Sequence, residues 1–220
     1  MTDAEATATT SPPAVRPTCP RCARPLAGCL CRWITPTANR VSLLVLQHPM
    51  EVGQAKGSAR LLQLSLRCCQ VEVGETFDAR ALAGWLQAPT AAGPAHNLLL
   101  YPSSPSSPSS SSLVATMTRP GSAAAAVRLV LLDGTWRKTR KMLALNPLLQ
   151  ALPRWALAAP PPSRYTIRQA QAPDQRSTLE AACLALGELE SHAGHYAPLL
   201  AAFDGWVAAH GALAQRRRKL

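Results

Sequence analysis

The sequence predicts an α/β protein: a mostly parallel β-sheet flanked by helices, preceded by a small four-cysteine zinc module. Three observations carry that prediction. Short apolar runs recur at 41–47, 69–73, 97–101 and 127–132, as expected of buried strands. Segments with helical spacing of apolar residues lie between them, and strands that alternate with helices build parallel sheets. Four of the 7 cysteines fall between Cys19 and Cys31.

The elements follow in order. Residues 1–16 are rich in Ala, Thr, Pro and Ser, with little apolar mass, and predict a disordered tail. Residues 17–35 form the Cys-rich module, and the α/β unit spans 38–210. Its first strand is 41–47, where β-branched and leucine residues run together. Ser58 is placed as the N-cap of a helix to Arg67, with Leu61, Leu62, Leu64 and Leu66 as its apolar side. The second strand is 69–73. A helix over 78–86 turns Leu82 and Trp85 inward. The third strand is 97–101. Residues 102–112 read PSSPSSPSSSS, a low-complexity insert that cannot pack a core and predicts a flexible loop or lid.

The fourth strand, 127–132, delivers Asp133-Gly134-Thr135-Trp136 and a helix to about Leu145, which Asn146-Pro147 ends. Short strands are expected at 155–157 and 165–167. Ser177 and Glu180 form a capping box that opens a helix over 177–190, with Leu179, Ala182, Leu186 and Leu189 as its stripe. A last helix begins near Pro198, carries Leu199, Phe203, Trp206 and Val207, and leads into a basic tail, 211–220. No internal repeat is present.

Composition narrows the function. Lys+Arg 23 against Asp+Glu 12 leaves a net charge of +11 in 220 residues. That excess favours an anionic partner: nucleic acid, an anionic membrane surface or a phosphorylated substrate. A merely solvated basic surface is the alternative. No apolar run approaches the ~18 residues of a membrane span. The first residues lack the basic and apolar regions of a signal peptide, so a cytoplasmic location is expected. An odd number of cysteines argues against a secreted disulfide framework, and clustered cysteines in a reducing compartment more often bind metal.

Four motifs carry chemistry. Cys19-x-x-Cys22 and Cys29-x-Cys31 can surround one tetrahedral Zn²⁺, and an all-cysteine site is closed, hence structural or RNA-docking. Cys68, Cys69 and Cys183 lie in apolar segments and are expected as core thiols. In the second motif, Gly134 permits a tight turn after Asp133, and Thr135 or Asp133 can cap the helix. That helix start offers unpaired N–H groups to an anion. Arg137, Arg140 and Lys141 share one helix face there. The third motif is Gln47-His48-Pro49-Met50-Glu51 with Gly57-Ser58-Ala59-Arg60, a candidate polar pocket. His48 is either a base or, more commonly for a single histidine, a hydrogen-bonded structural residue. The fourth runs from Ser163 to Arg168, where Arg164, Tyr165 and Arg168 suit stacking and phosphate contacts, and then to the capping box. Ligands of such sheets sit beyond the carboxyl ends of the strands, which points to the loops after Gln47, Tyr101 and Leu132.

Asp133-x-Thr135-Trp136 resembles the signature of the DTW-domain family, the tRNA-uridine aminocarboxypropyltransferases. So do the four-cysteine module, Gln47-His48-Pro49-x-Glu51, and Tyr165-x-Ile167-Arg168 followed by Ser177-Thr178-Leu179-Glu180-Ala181. The resemblance spans roughly 19 to 190. It implies a fold related to the knotted SPOUT methyltransferases, with S-adenosylmethionine as donor. It also implies transfer of the 3-amino-3-carboxypropyl group to N3 of a tRNA uridine, releasing 5′-methylthioadenosine. Under that resemblance Asp133 is the expected base, or else holds the donor's amino group. Arg60, Arg164 and the start of the helix at Gly134, Thr135 and Trp136 are the expected donor-carboxylate contacts. Leu100, Tyr101, Pro102, Ser103 and Leu132 are expected around the adenosine, with Trp136 in contact or in packing. Arg137, Arg140, Lys141, Arg168, Arg216, Arg217 and Arg218 are expected on tRNA phosphates. Two rivals stand beside this: methyl transfer to RNA on the same scaffold, and a non-catalytic zinc module that binds RNA.

Overall fold

The computed structural model describes residues 17–54, 57–102, 126–157 and 176–218. One sheet holds five strands: β1 (Ser42–Gln47), β2 (Cys69–Val73), β3 (His96–Leu100), β4 (Val127–Asp133) and β5 (Arg154–Trp155). All pairings are parallel, in the order β2-β1-β4-β3-β5. The helices are α1 (Ala59–Ser65), α2 (Ala79–Gln87), α3 (Trp136–Leu145), α4 (Pro147–Gln150), α5 (Thr178–Leu189) and α6 (Ala197–Arg218).

Side chains alternate across a strand, so the central strands supply two cores. Leu43, Val45, Leu129 and Leu131 pack on one face with Leu61 and Leu62 of α1, Leu186 of α5 and Phe203 of α6. Leu44, Leu46 and Val130 pack on the other with Leu82 and Leu86 of α2, Met142 and Leu143 of α3, and Leu149. Burial on both faces is why β1 and β4 read as continuous apolar runs. Each such side chain contributes about 1.5–3 kcal/mol by leaving water.

The connections diverge between the two central strands. β1 leads through α1 to β2 on one side. β4 leads through α3 and α4 to β5 on the other, beyond β3. The carboxyl ends of β1 and β4 are therefore a topological switch point, the usual ligand position in such sheets. Gln47 and Asp133, the last residues of these strands, are register partners.

The cysteine module shares the first core. Cys19, Cys22 and Leu30 are buried there with Tyr196, Leu199, Phe203 and Trp206. Trp33 lies so close to α6 that a Cβ on Gly205 would stand 2.4 Å from its ring, so only glycine fits. The entry to β1 is tied to the end of α5: Arg40 and Val41 N–H groups donate to Glu190 Oε1 at 2.7 and 2.9 Å.

Several expectations are corrected in detail. The helix expected over 58–67 ends at Ser65, because the Arg67 N–H turns to the Thr37 carbonyl. Ser58 is at the N-cap position but its hydroxyl does not cap α1. The strand expected at 155–157 is Arg154–Trp155, and the third strand begins at His96. Gly134 is not a left-handed turn residue; its missing Cβ leaves room for Lys138 and Thr139, whose atoms would lie 3.2 and 3.4 Å away. Thr135, not Asp133, caps α3. Cys183 is a buried core thiol as expected, whereas Cys68 and Cys69 are only partly buried. The tail 1–16, the strand expected at 165–167 and the insert beyond Pro102 lie outside the described residues.

Candidate active site at the carboxyl edge of the sheet

Asp133 ends β4 and is 6% exposed. Its Oδ2 accepts a hydrogen bond from Gln47 Nε2 at 2.7 Å, directly across the strand pair. Its Oδ1 accepts one from the hydroxyl of Thr178, the first residue of α5. The backbone closes the same corner, where the His48 N–H donates to the Asp133 carbonyl at 2.9 Å. Three elements thus converge on one carboxylate: β1, β4 and the start of α5.

The α5 start is built to stay fixed. Ser177 Oγ accepts from the Glu180 N–H at 3.1 Å, and Glu180 Oε2 accepts from the Ser177 N–H at 3.0 Å, a complete capping box. The next amide, Leu179 N–H, donates to Ser58 Oγ at 3.3 Å. Three of the four orphan donors at this start, the amides of Ser177, Leu179 and Glu180, are therefore satisfied inside the protein.

His48, beside Asp133, is a structural link. Its Nδ1 accepts from the Met50 N–H at 3.1 Å, so the proton sits on Nε2, which meets Glu75 Oε1 at 3.0 Å. Glu75 also pairs with Lys141 at 2.8 Å. The Lys141 hydrogen bond, then that of His48, holds the Glu75 carboxyl below the usual carboxylate range. Glu51 pairs with Lys138 at 2.8 Å. Two of the four cations on α3 are thus matched to carboxylates, while Arg137 and Arg140 are exposed.

The start of α3 is open. Thr135 caps weakly, its Oγ1 3.4 Å from the Lys138 nitrogen. Thr135, Trp136 and Arg137 are exposed, and the first turn carries no acidic residue. Trp136 is 45% exposed and meets the Tyr101 ring edge-on, centroids 5.8 Å apart. Tyr101 follows β3, and Arg154 of β5 lies over its ring at 5.7 Å. The loop after Leu100 therefore neighbours the α3 start, with Pro102 exposed and Leu132 and Gly134 half-buried.

The cysteine module packs in the first core, with residues of α5 and α6. Cys19, Cys22, Cys29 and Cys31 bring their sulfurs within 4.8 Å of one another. The Cys19–Cys31 and Cys22–Cys29 separations are 3.6 and 3.8 Å. These are far too long for disulfides. They match the ~3.8 Å edge of a tetrahedron with Zn–S bonds of about 2.3 Å. Backbone N–H groups of Cys22 and Arg21 hold the Cys19 thiol down to about 6, favouring a thiolate, whereas burial pushes Cys31 up to about 12. The donor set fits zinc.

The DTW domain family model matches residues 16–210. The chain belongs to the DTW-domain family. Curated relatives agree. A protein of Drosophila melanogaster named tRNA-uridine aminocarboxypropyltransferase 2 is 34% identical over 184 residues, covering 82% of this chain and 69% of its own. The Mus musculus protein of the same name is 28% identical over 181 residues, covering 80% of this chain and 58% of its own. The DTW-domain chain thus spans little more than half the length of that mammalian relative. No solved structure matches it.

Within this DTW-domain chain the expected residues fall in three groups. Asp133, Gly134, Thr135, Trp136, Leu132, Leu100, Tyr101 and Pro102 gather at one edge of the sheet. Arg60 is turned elsewhere: it donates to Gln63 Oε1 and to the Arg21 carbonyl, each at 2.7 Å. Ser103, Arg164 and Arg168, and the side chains of Arg216, Arg217 and Arg218, lie outside the described residues. Gln47 and Ser58 belong to the expected polar pocket, but their contacts with Asp133 and Leu179, and the role of Thr178, are not evident from the sequence. Gln47 and Thr178 stand inside the very motifs that carry the family resemblance, and that was the signal available for them.

Proposed function

We propose that this chain transfers the 3-amino-3-carboxypropyl group of S-adenosylmethionine to N3 of a uridine in tRNA, releasing 5′-methylthioadenosine. The observation that carries the reading is Asp133 of the Asp-x-Thr-Trp signature, held by Gln47 and Thr178 at the carboxyl edge of the sheet. The names of the curated relatives support the reaction class and the tRNA substrate. The sulfonium donor supplies an electrophilic Cγ; the N3–Cγ bond forms, the Cγ–S bond breaks and its electron pair returns to sulfur. The uridine N3 proton must leave, and Asp133 is the group set to accept it or to hold the donor's ammonium. Two neutral donors fix the direction of its carboxylate, and orientation decides which carbon beside sulfur meets the nucleophile.

The open start of α3 suits the donor's carboxylate, since N-terminal amides and the helix dipole attract anions. Tyr101 and Trp136 offer aromatic surface beside it for the adenosine or an RNA base. Arg137 and Arg140 are the α3 cations for tRNA phosphates, with Arg168 and Arg216–Arg218 as further candidates; Lys141 brings its charge already shared with Glu75. Cys19, Cys22, Cys29 and Cys31 would hold a structural Zn²⁺ in a module spanning 17–35, ahead of an α/β unit spanning 38–210. A SPOUT-related scaffold and a cytoplasmic location complete the reading. Among the described residues no helix is long and apolar enough to cross a membrane.

Asp133→Asn tests it. Product formation is expected to fall at least about 10³-fold, with tRNA affinity unchanged. Full activity in this variant would sink the assignment of Asp133, and a loss of tRNA binding alone would favour a binding module.

A further inference from the structure

A set of polar contacts runs between the cysteine module and Asp133, and the chemistry above makes no use of most of it. Arg24 lies between Cys22 and Cys29 in the chain and is 6% exposed. Its guanidinium donates to the Gly57 carbonyl and sits 5.2 Å from the centre of the Trp206 ring. From the opposite side, Arg60 of α1 donates to the Arg21 carbonyl, inside the Cys19–Cys22 turn. The module and the start of α1 are therefore joined twice. Gly57 precedes Ser58, which is 4% exposed and spends its hydroxyl on the Leu179 N–H instead of its own helix. Leu179 follows Thr178, whose hydroxyl reaches Asp133.

We propose that the four-cysteine module is the positioning frame of the reaction centre, with Arg24 and Ser58 as positioning residues that carry its placement to Thr178 and so to the Asp133 carboxylate. The inference rests on Asp133 being that centre. Its physics is local. A buried guanidinium must keep its acceptors, so the Gly57 carbonyl is pinned wherever the module stands. A buried helix-start amide must keep its acceptor too, so α5 follows Ser58. Displacing a reacting group by about 1 Å costs on the order of 10²-fold in rate. A module that served stability alone would lower the melting temperature when damaged and leave the α5 start unchanged.

The test uses the full chain loaded with zinc and three variants: Arg24→Gln, Arg24→Lys and Ser58→Ala. Hydrogen–deuterium exchange is read on peptides covering 57–62 and 177–183, and kcat and KM are measured with S-adenosylmethionine varied. In Arg24→Gln, with bound zinc unchanged, exchange at both segments is expected to rise about tenfold, the effect of one lost hydrogen bond. Its kcat is expected to fall about 10- to 100-fold, with KM for S-adenosylmethionine nearly constant. Arg24→Lys should recover most of the kcat. Ser58→Ala should loosen 177–183 and lower kcat while leaving zinc content intact. Chelating the zinc should reproduce the exchange changes of Arg24→Gln. Unchanged exchange at 177–183 after chelation or in Arg24→Gln overturns the proposal, as does a lower melting temperature with kcat and KM at wild-type values. Should Arg24→Gln fail to fold, chelation decides whether the module positions 177–183, and Ser58→Ala, which leaves the module untouched, decides whether the Ser58–Leu179 contact carries that placement. If the unmodified chain transfers nothing to tRNA, the functional reading fails, and the exchange arms still judge the coupling.

Discussion

Two helices begin at the carboxyl edge of the sheet, and they begin in opposite ways. At the start of α5, Ser177, Leu179 and Glu180 are buried, and the amides of Leu179 and Glu180 are taken up by Ser58 and Ser177. At the start of α3, Thr135, Trp136 and Arg137 are exposed, and the amides of Trp136 and Arg137 meet no acceptor among the described residues. Both carry an N-cap hydroxyl, so the caps do not make the difference. What differs is whether the rest of the protein spends the helix's free donors. A start whose donors are mostly taken up inside the protein is a scaffold, and here it holds Asp133. A start left open is a place for an anion.

That contrast can be broken by mutation, and the largest effect belongs to the closed start. Thr178→Val keeps the shape of the side chain and removes the donor to Asp133. Transfer kcat is expected to fall on the order of 10²-fold, with tRNA affinity unchanged, in a single-turnover assay. The open side answers next. Arg137→Ala with Arg140→Ala should weaken tRNA binding about tenfold at moderate salt and lower the salt slope by about 1–2, measured by filter binding across ionic strengths. Lys141→Ala should do less, because Glu75 already takes its charge.

Cap removal sharpens the contrast on a smaller scale. Ser177→Ala breaks a buried capping box and should cost about 1–2 kcal/mol, read as a lower urea midpoint. Thr135→Ala, at an exposed start with a long cap contact, should cost less than half of that. The smallest effect is acidic. Glu75 titrates below the usual carboxylate range because Lys141, then His48, favours its anion. Its pairing therefore stabilises the fold in full above the ordinary carboxylate pKa and is lost as pH falls through the lower folded value. Glu75→Gln should lower stability slightly at neutral pH and flatten the acid limb in that window, so that the variant and the unmodified protein converge at lower pH. An unaltered acid limb would remove Glu75 from the account.

How much of this was legible in the sequence depended on distance along the chain. The central strands were legible because burial on both faces makes 41–47 and 127–132 apolar throughout. β5 was blurred because two residues at a sheet edge leave almost no pattern. The four cysteines were legible because all their spacings are local. The α5 start was legible as a capping box, since Ser177 and Glu180 are three residues apart. Its use was not. Thr178 meets Asp133 across 45 residues, and Ser58 meets Leu179 across 121. Likewise the basic face of Arg137, Arg140 and Lys141 reads as uniform in the sequence, whereas the fold brings Glu75 of a distant segment onto Lys141. Periodicity and capping report neighbours; which carboxylate is neutralised and which is held ready is decided by the fold.

The most direct measurement is a label-partition assay. Purified protein is given unmodified tRNA and S-adenosylmethionine labelled either in the methionine backbone or in the methyl group, and nucleosides and released small molecules are read by mass spectrometry. The account predicts backbone label in uridine, no methyl label in the RNA, and one 5′-methylthioadenosine released per modified nucleoside. Methyl label in the RNA, or tight tRNA binding with neither label transferred to any tRNA offered, would contradict it.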